Sequence, residues 1–341
     1  MTSLQLTTLL LVTSVASWLL TAALRRYALA RSLMDIPNAR SSHTSPTPRG
    51  GGIAIVTSAC AAFACLHALN LVTAVQLWAL LGSGIFIAAI GFLDDHRHVA
   101  ARWRLLAHFT AAGWAVGWMG GVPSLDISGF TIEFGWAGNL LAAVFLVWML
   151  NLYNFMDGID GLASVEALCV CLGGALLYLL TGHAPVAWLP LALAAAVVGF
   201  LVWNFPPARI FMGDAGSGFL GIVLGIMSLQ AGTVSPPLLW AWLVLLGVFV
   251  VDATVTLLRR LIRGDKVYQA HRSHAYQYAA RRHGGHRPVT LAVAAINVGW
   301  LLPTATAIAL GWLGGLTGLL LAYAPLIVLA LRYDAGKPER R

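Results

Sequence analysis

NLYNFMDGIDGLA, residues 151–163, decides how this chain is read. It carries two carboxamides and two carboxylates, Asn151, Asn154, Asp157 and Asp160, yet it lies between two stretches apolar enough to be membrane helices. Spaced every three residues, the four side chains share one face if the preceding helix continues to that point. A structural face at a helix end more often uses Ser, Lys or Arg, so this quartet points to function.

Outward from it the chain is almost wholly apolar. Of 341 residues 59% are hydrophobic and 10% charged, with a mean hydropathy of +0.80, against about 25% charged in soluble domains. The composition predicts an all-α polytopic membrane protein, one integral membrane domain over residues 1–341. Runs of about 20 residues, enough to cross a roughly 30 Å hydrocarbon core, fall at 4–24, 51–71, 74–93, 104–121, 139–156, 160–181, 186–203, 215–232, 237–258, 289–310 and 312–331. These make eleven spans. Breaks at Gly and Pro in 139–181 and 289–331 leave ten as the alternative.

Short cytoplasmic loops hold an excess of Lys and Arg. Taken in alternation, all 21 positive residues lie in or beside the odd-numbered loops or the C-terminal tail, and the even-numbered loops hold none. The N-terminus is therefore expected outside and the C-terminus in the cytoplasm, with cytoplasmic loops at about 25–50, 94–104, 151–160, 204–215 and 259–288. The same partition accounts for the net charge of +8: topology signal and anionic lipid headgroups explain it without nucleic acid. Arg25 and Arg26 follow the first apolar run and no basic segment precedes it, which reads as a retained span. Cys60, Cys65, Cys169 and Cys171 all fall inside predicted spans, as small apolar residues.

Of thirteen acids, ten fall at cytoplasmic positions. Asp35, Asp265, Asp334 and Glu339 read as charges balancing basic loops. The others suggest chemistry. In GFLDDHRH, Asp94 and Asp95 repel each other unless a cation or proton neutralises one. In IFMGDAGSGFLG, Asp214 sits in a glycine-rich turn before an apolar helix, whose N-terminus offers N–H groups to a phosphate. Acidic clusters gathered on one side suit Mg²⁺, a hard cation that binds through one or two carboxylates plus substrate phosphates. VYQAHRSHAYQ adds His271, Arg272 and His274 in the longest cytoplasmic loop, suited to an anion or equally to a solvated basic loop. His43, in NARSSHTSPTPRGGG, lies in a basic, glycine-rich loop of the kind that suits phosphates.

GFLDDHRHVAARWRLLAH, NLYNFMDGIDGLA, IFMGDAGSGFLG and the AHRSH loop, in this order and separated by apolar spans, resemble the polyprenyl-phosphate N-acetylhexosamine-1-phosphate transferases. The resemblance covers nearly the whole chain, including MDIPNARSSHTSPTPRGGG. It implies transfer of a sugar-1-phosphate from a UDP-amino sugar to undecaprenyl phosphate in the bacterial inner membrane, releasing UMP. The active site would face the cytoplasm, and the resemblance allows a homodimer. By resemblance Asp214 and Asp157 bind Mg²⁺, with Mn²⁺ as a substitute, and Asp94 and Asp95 serve the metal or the acceptor phosphate. Asn154, Asp157 and Asp160 hold the uridine nucleotide, with Asn151 on the same face and Phe211 stacked on uracil; His271, Arg272 and His274 contact the diphosphate or the sugar. His271-Arg272-Ser273-His274 departs from the three consecutive histidines of the peptidoglycan branch, so the chain is more similar to the branch that initiates O-antigen and related glycans. GlcNAc, GalNAc and 6-deoxy amino sugars such as FucNAc or QuiNAc remain open. Arg104 and His108 stand where the family often has Lys and Gln.

The main rival is a secondary transporter, which needs charges near the middle of spans. Glu166, just inside a span, is the only candidate, and the acids cluster at one surface, which favours an enzyme. A CDP-alcohol phosphatidyltransferase would need Ala-Arg after the first Asp-Gly, but Asp157-Gly158 is followed by Ile159-Asp160-Gly161, and HRSH at 271–274 is only a partial echo of a lipid pyrophosphatase.

Overall fold

The computed structural model describes residues 3–37, 42–97, 99–127, 130–265 and 271–338. Arg40, Lys266 and Glu339, expected in cytoplasmic segments, lie outside the described residues.

The apolar runs fold as helices because a backbone in hydrocarbon must satisfy its own N–H and C=O groups. The helices are α1 (Ser3–Ala30), α2 (Gly52–Ala68), α3 (Ala74–His96), α4 (Ala101–Met119), α5 (Gly135–Met156), α6 (Leu162–Leu180), α7 (Trp188–Asn204), α8 (Asp214–Val234), α9 (Pro236–Leu245), α10 (Gly247–Ile262), α11 (Ala275–Arg282), α12 (His286–Ile296), α13 (Leu302–Ala309) and α14 (Gly315–Arg332). Two short antiparallel pairs complete it: β1 (Met34–Asp35) with β2 (Thr47–Pro48), and β3 (Leu125–Ile127) with β4 (Phe130–Ile132).

All eleven predicted spans fall on helix, and two are interrupted. The span at 237–258 is α9 and α10, bent by 69° at Leu246. The span at 289–310 is α12 and α13 joined through a π-helical turn, Asn297–Leu301. Among the described residues eight helical segments are long and apolar enough to cross a membrane, nine with the bent pair. Of the rest, α2 has only 17 residues and α4 opens with Arg102 and Arg104. The break in 139–181 is real: α5 and α6 are separate helices with a turn between them.

At the centre runs α8, buried at every residue from Ala215 to Gly232 and flanked by α2, α3, α5 and α9. Glycine permits this, since helices in lipid associate through close backbone packing at small residues: a Cβ on Gly52 would lie 2.5 Å from the Gly216 Cα. The N-terminal ends of α2, α8 and α12 and the C-terminal ends of α3, α5 and α7 contribute to one recess.

Candidate active site

The quartet of the 151–163 stretch does not share one continuous face. Helix α5 stops at Met156, so Asn151 and Asn154 project from it while Asp157 and Asp160 lie in the turn before α6. Gly161 makes that turn at φ +73°, a conformation glycine adopts without strain. The Asn204 Oδ1 fixes it, accepting from the Gly161 N–H (3.1 Å) and the Ser164 hydroxyl (3.2 Å). Asp160 is held on both oxygens: Oδ2 accepts from the Ala208 N–H at 2.9 Å, and Oδ1 lies 3.1 Å from His286 Nδ1. His286 Nε2 is 3.0 Å from the Ser42 carbonyl oxygen, joining α12 to the first loop.

The PTPRGGG and IFMGDAG segments are mated through their backbones. Phe211 N–H donates to Pro48 O (2.8 Å), Gly51 N–H to Phe211 O and Gly52 N–H to Met212 O (both 2.9 Å). From α3 the Asp95 carboxylate faces the backbone N–H groups of Asp214 and Ala215. Gly213, at φ +78°, leaves the room: a Cβ there would lie 2.7 Å from Asp95 Oδ2. The N–H groups of Gly216 and Ser217 both donate to Gly213 O at 3.1 Å. The first N–H groups of α8, expected to be open to a phosphate, thus have the Asp95 carboxylate as a neighbour. Arg49 donates to the Asp95 backbone oxygen, with its guanidinium 4.0 Å from that carboxylate.

Two cavities meet here. The first, about 440 Å³, is lined by Asp35, Arg49, Asp95, Asp157, Asp160 and Asp214 among others, with His43, Phe211, Gln277 and His286 on its outer side. The second, about 230 Å³, has Ile87, Ile90, Leu105, Leu150 and Phe155 on its walls and Asp94, Arg104, His108 and Asn151 as its polar end. Asn154 and Asp214 line both. Ser217 donates to Asn154 Oδ1 at 2.7 Å, fixing the carboxamide at this wall.

The first cavity is strongly acidic. Burial, together with the neighbouring Asp214, Asp95 and Asp160, holds the Asp157 carboxyl well above the usual carboxylate range, as crowded acids do when no cation offsets them. Among the described residues no three Asp, Glu, His or Cys side chains form a group that could hold an ion alone. Asp157 and Asp214, the pair that the resemblance assigns to Mg²⁺, both line this cavity, and two carboxylates are the number a hard cation commonly takes alongside substrate phosphates.

Other predicted residues fall elsewhere. Asp94 lines the second cavity, ion-paired with Arg104 and accepting the Val99 N–H at 2.8 Å. Asn151, expected beside the nucleotide, is there too: its Nδ2 donates to Val147 O at 2.7 Å and lies 3.3 Å from His108 Nδ1. One helical turn separates it from Asn154, and that turn carries it around the wall. His274 is buried, caps the start of α11 and stands 3.3 Å from Asp252. His271 stacks on it at 4.9 Å and bonds Ser273. Neither lines these two cavities, because Asp252 draws the segment inward by accepting the Ala275 and Tyr276 N–H groups (2.9 and 3.0 Å). Arg272 lines a third, outer recess of about 760 Å³ with His43, Arg281, His286 and Arg287. His43 meets Phe211 edge-on at 4.9 Å and has a buried Nε2 with no partner among the described residues.

The sequence reading passed over Gln277 and His286, and counted Asp35 and Arg49 only as loop charge. Asp35 pairs with Thr47 across β1 and β2, a register no pattern announces. His286 had a signal in the Gly284-Gly285 pair that precedes α12.

A family model described as glycosyl transferase family 4 matches residues 77–232, the segment carrying Asp94, Asp157 and Asp214. Curated relatives extend the likeness. The chain is 32% identical over 315 residues to "Decaprenyl-phosphate N-acetylglucosaminephosphotransferase" of Mycolicibacterium smegmatis, covering 80% of this chain and 76% of that one. It is 29% identical to "Probable undecaprenyl-phosphate N-acetylglucosaminyl 1-phosphate transferase" of Bacillus subtilis, covering 76% and 72%. A shorter stretch, 43% of this chain and 50% of the other, is 38% identical to "Phospho-N-acetylmuramoyl-pentapeptide-transferase" of Moorella thermoacetica. With the acidic recess and the apolar groove meeting at Asp214, these likenesses lead to one conclusion: the chain belongs to glycosyl transferase family 4, as a membrane-embedded polyprenyl-phosphate N-acetylhexosamine-1-phosphate transferase.

Proposed function

We propose that this protein transfers an N-acetylhexosamine-1-phosphate from a UDP-amino sugar to undecaprenyl phosphate, releasing UMP, at the cytoplasmic face of the bacterial inner membrane. One observation carries the reading: a polar recess and an apolar groove share Asn154 and Asp214 as their common wall. The nucleotide sugar takes the recess and the lipid phosphate the groove, so the reacting groups meet at Asp214. An acceptor phosphate oxygen bonds to the β-phosphorus as its bridge to the α-phosphate breaks, and UMP leaves with that bridging oxygen.

Both substrates are anions, so catalysis rests on positioning and charge compensation. Arg104 pairs the acceptor phosphate in the groove, and Asp94 orients the guanidinium. Arg49 answers the diphosphate, and Asp160, tied to His286, accepts from the nucleotide. Phe211 and the unpartnered His43 nitrogen form the outer wall for the base. Mg²⁺ held by Asp157 and Asp214 would supply the remaining neutralisation of the diphosphate. The lysine and arginine partition supports a cytoplasmic location for this site. The AHRSH departure supports a role in initiating O-antigen or a related surface glycan, with GlcNAc, GalNAc and the 6-deoxy amino sugars as candidate cargoes.

The test is reversible transfer. Membranes holding the protein, undecaprenyl phosphate and Mg²⁺ receive labelled UDP-GlcNAc, then other UDP-amino sugars, with Asp214→Ala as control. Lipid-linked label that requires Mg²⁺ and Asp214 and reverses with UMP is the expected result and names the sugar. A folded protein that moves label from no UDP-sugar would return the transporter to first place.

A further inference from the structure

Glu166 is a fully buried acid that the reaction leaves idle, in the second turn of α6. Its Oε2 accepts from Asn297 Nδ2 at 2.7 Å, and the Phe249 backbone N–H faces the carboxyl. Two neighbouring oxygens, Glu166 Oε1 and Asn297 Oδ1, are buried with no hydrogen-bond partner among the described residues. Both are acceptors if the carboxyl is ionised, and two orphaned acceptors around a charge in hydrocarbon are costly. One proton on Oε1 removes the charge and can donate to Asn297 Oδ1, closing a cyclic acid–amide pair.

The pair sits where two helices are interrupted. Phe249 is in the first turn of α10, just past the 69° bend, where N–H groups lose their helical acceptors. Asn297 opens the π-helical turn between α12 and α13. On the other side of the bend Tyr323 donates its hydroxyl to Leu243 O at 2.7 Å. From the bend a chain of contacts leads to the active site. One turn on, Asp252 holds the N-terminus of α11; Tyr276 in that helix donates to Phe155 O at 2.9 Å, between Asn154 and Asp157.

We infer that Glu166 is a neutral carboxylic acid that pairs with the Asn297 carboxamide and sets the α9–α10 bend, making it a positioning residue for the turn that carries Asp157. The activity arm rests on the transferase reading; the infrared arm does not.

The test uses full-length protein in lipid nanodiscs. The infrared difference between wild type and Glu166→Gln at neutral pH is expected to contain the carbonyl stretch of a protonated carboxylic acid. Gln can reproduce both hydrogen bonds, so Glu166→Gln should keep transfer within about twofold, whereas Glu166→Ala and Asn297→Ala should lose about tenfold or more in kcat/KM for the donor. A carboxylate band instead, or Glu166→Gln as damaged as Glu166→Ala, would overturn the neutral pair. A fully active Glu166→Ala would overturn the positioning role. If the alanine variants do not fold, the Gln variant and the infrared band still decide the matter.

Discussion

The two cavities that meet at Asn154 and Asp214 are assembled in different ways. The groove comes from the sides of helices: Ile87 and Ile90, Leu105 and His108, and Asn151 and Asn154 recur at helical spacing on α3, α4 and α5. The recess comes from helix ends and connecting turns as far apart as Asp35 and His286. A groove of helix faces is rigid and tolerant, because each residue has neighbours one turn away doing the same work. A recess built from many ends depends on each tie between segments, such as the Asp160–His286 contact or Asp95 at the tip of α8.

This contrast can be broken or sharpened by substitution. Asp214→Ala, at the shared wall, should reduce kcat about a thousandfold whichever substrate is varied; a loss seen only as a raised KM for one substrate would detach Asp214 from the wall. Arg104→Gln should raise KM for undecaprenyl phosphate about tenfold and leave the UDP-sugar KM unchanged, as steady-state kinetics in nanodiscs with both substrates varied will report. Asn151→Ala should follow the same pattern at about threefold, and a change in UDP-sugar KM instead would return Asn151 to the nucleotide side. His271→Ala should change turnover by less than about twofold. Burial, with His274 and Arg260 adding, pushes the His271 imidazole down to about 3. The ring stays neutral at every higher pH, so its removal should leave the pH profile of transfer unmoved.

Much of this was legible before any coordinates. Apolar runs separated by charged loops fix the helices, because a bilayer leaves the backbone few alternatives, and Asp94, Asp157 and Asp214 stand out as acids at the ends of such runs. The rest depended on contacts that sequence does not encode locally. Whether Asn151 lies on the same side as Asp157 turns on where α5 stops. The fate of His274 turned on Asp252, more than twenty residues upstream, and that of the α8 N-terminus on Asp95, more than a hundred upstream. Sequence spacing marks a histidine or a free helix end as available; only the fold reveals that the protein has already used it.

Because the recess and the groove share only Asn154 and Asp214, the proposed reaction gives each substrate its own door. Neither must leave before the other enters, and no covalent sugar-phosphate relay on the protein is required to carry the group between them. Initial-rate lines for the two substrates should therefore intersect, the signature of a ternary complex.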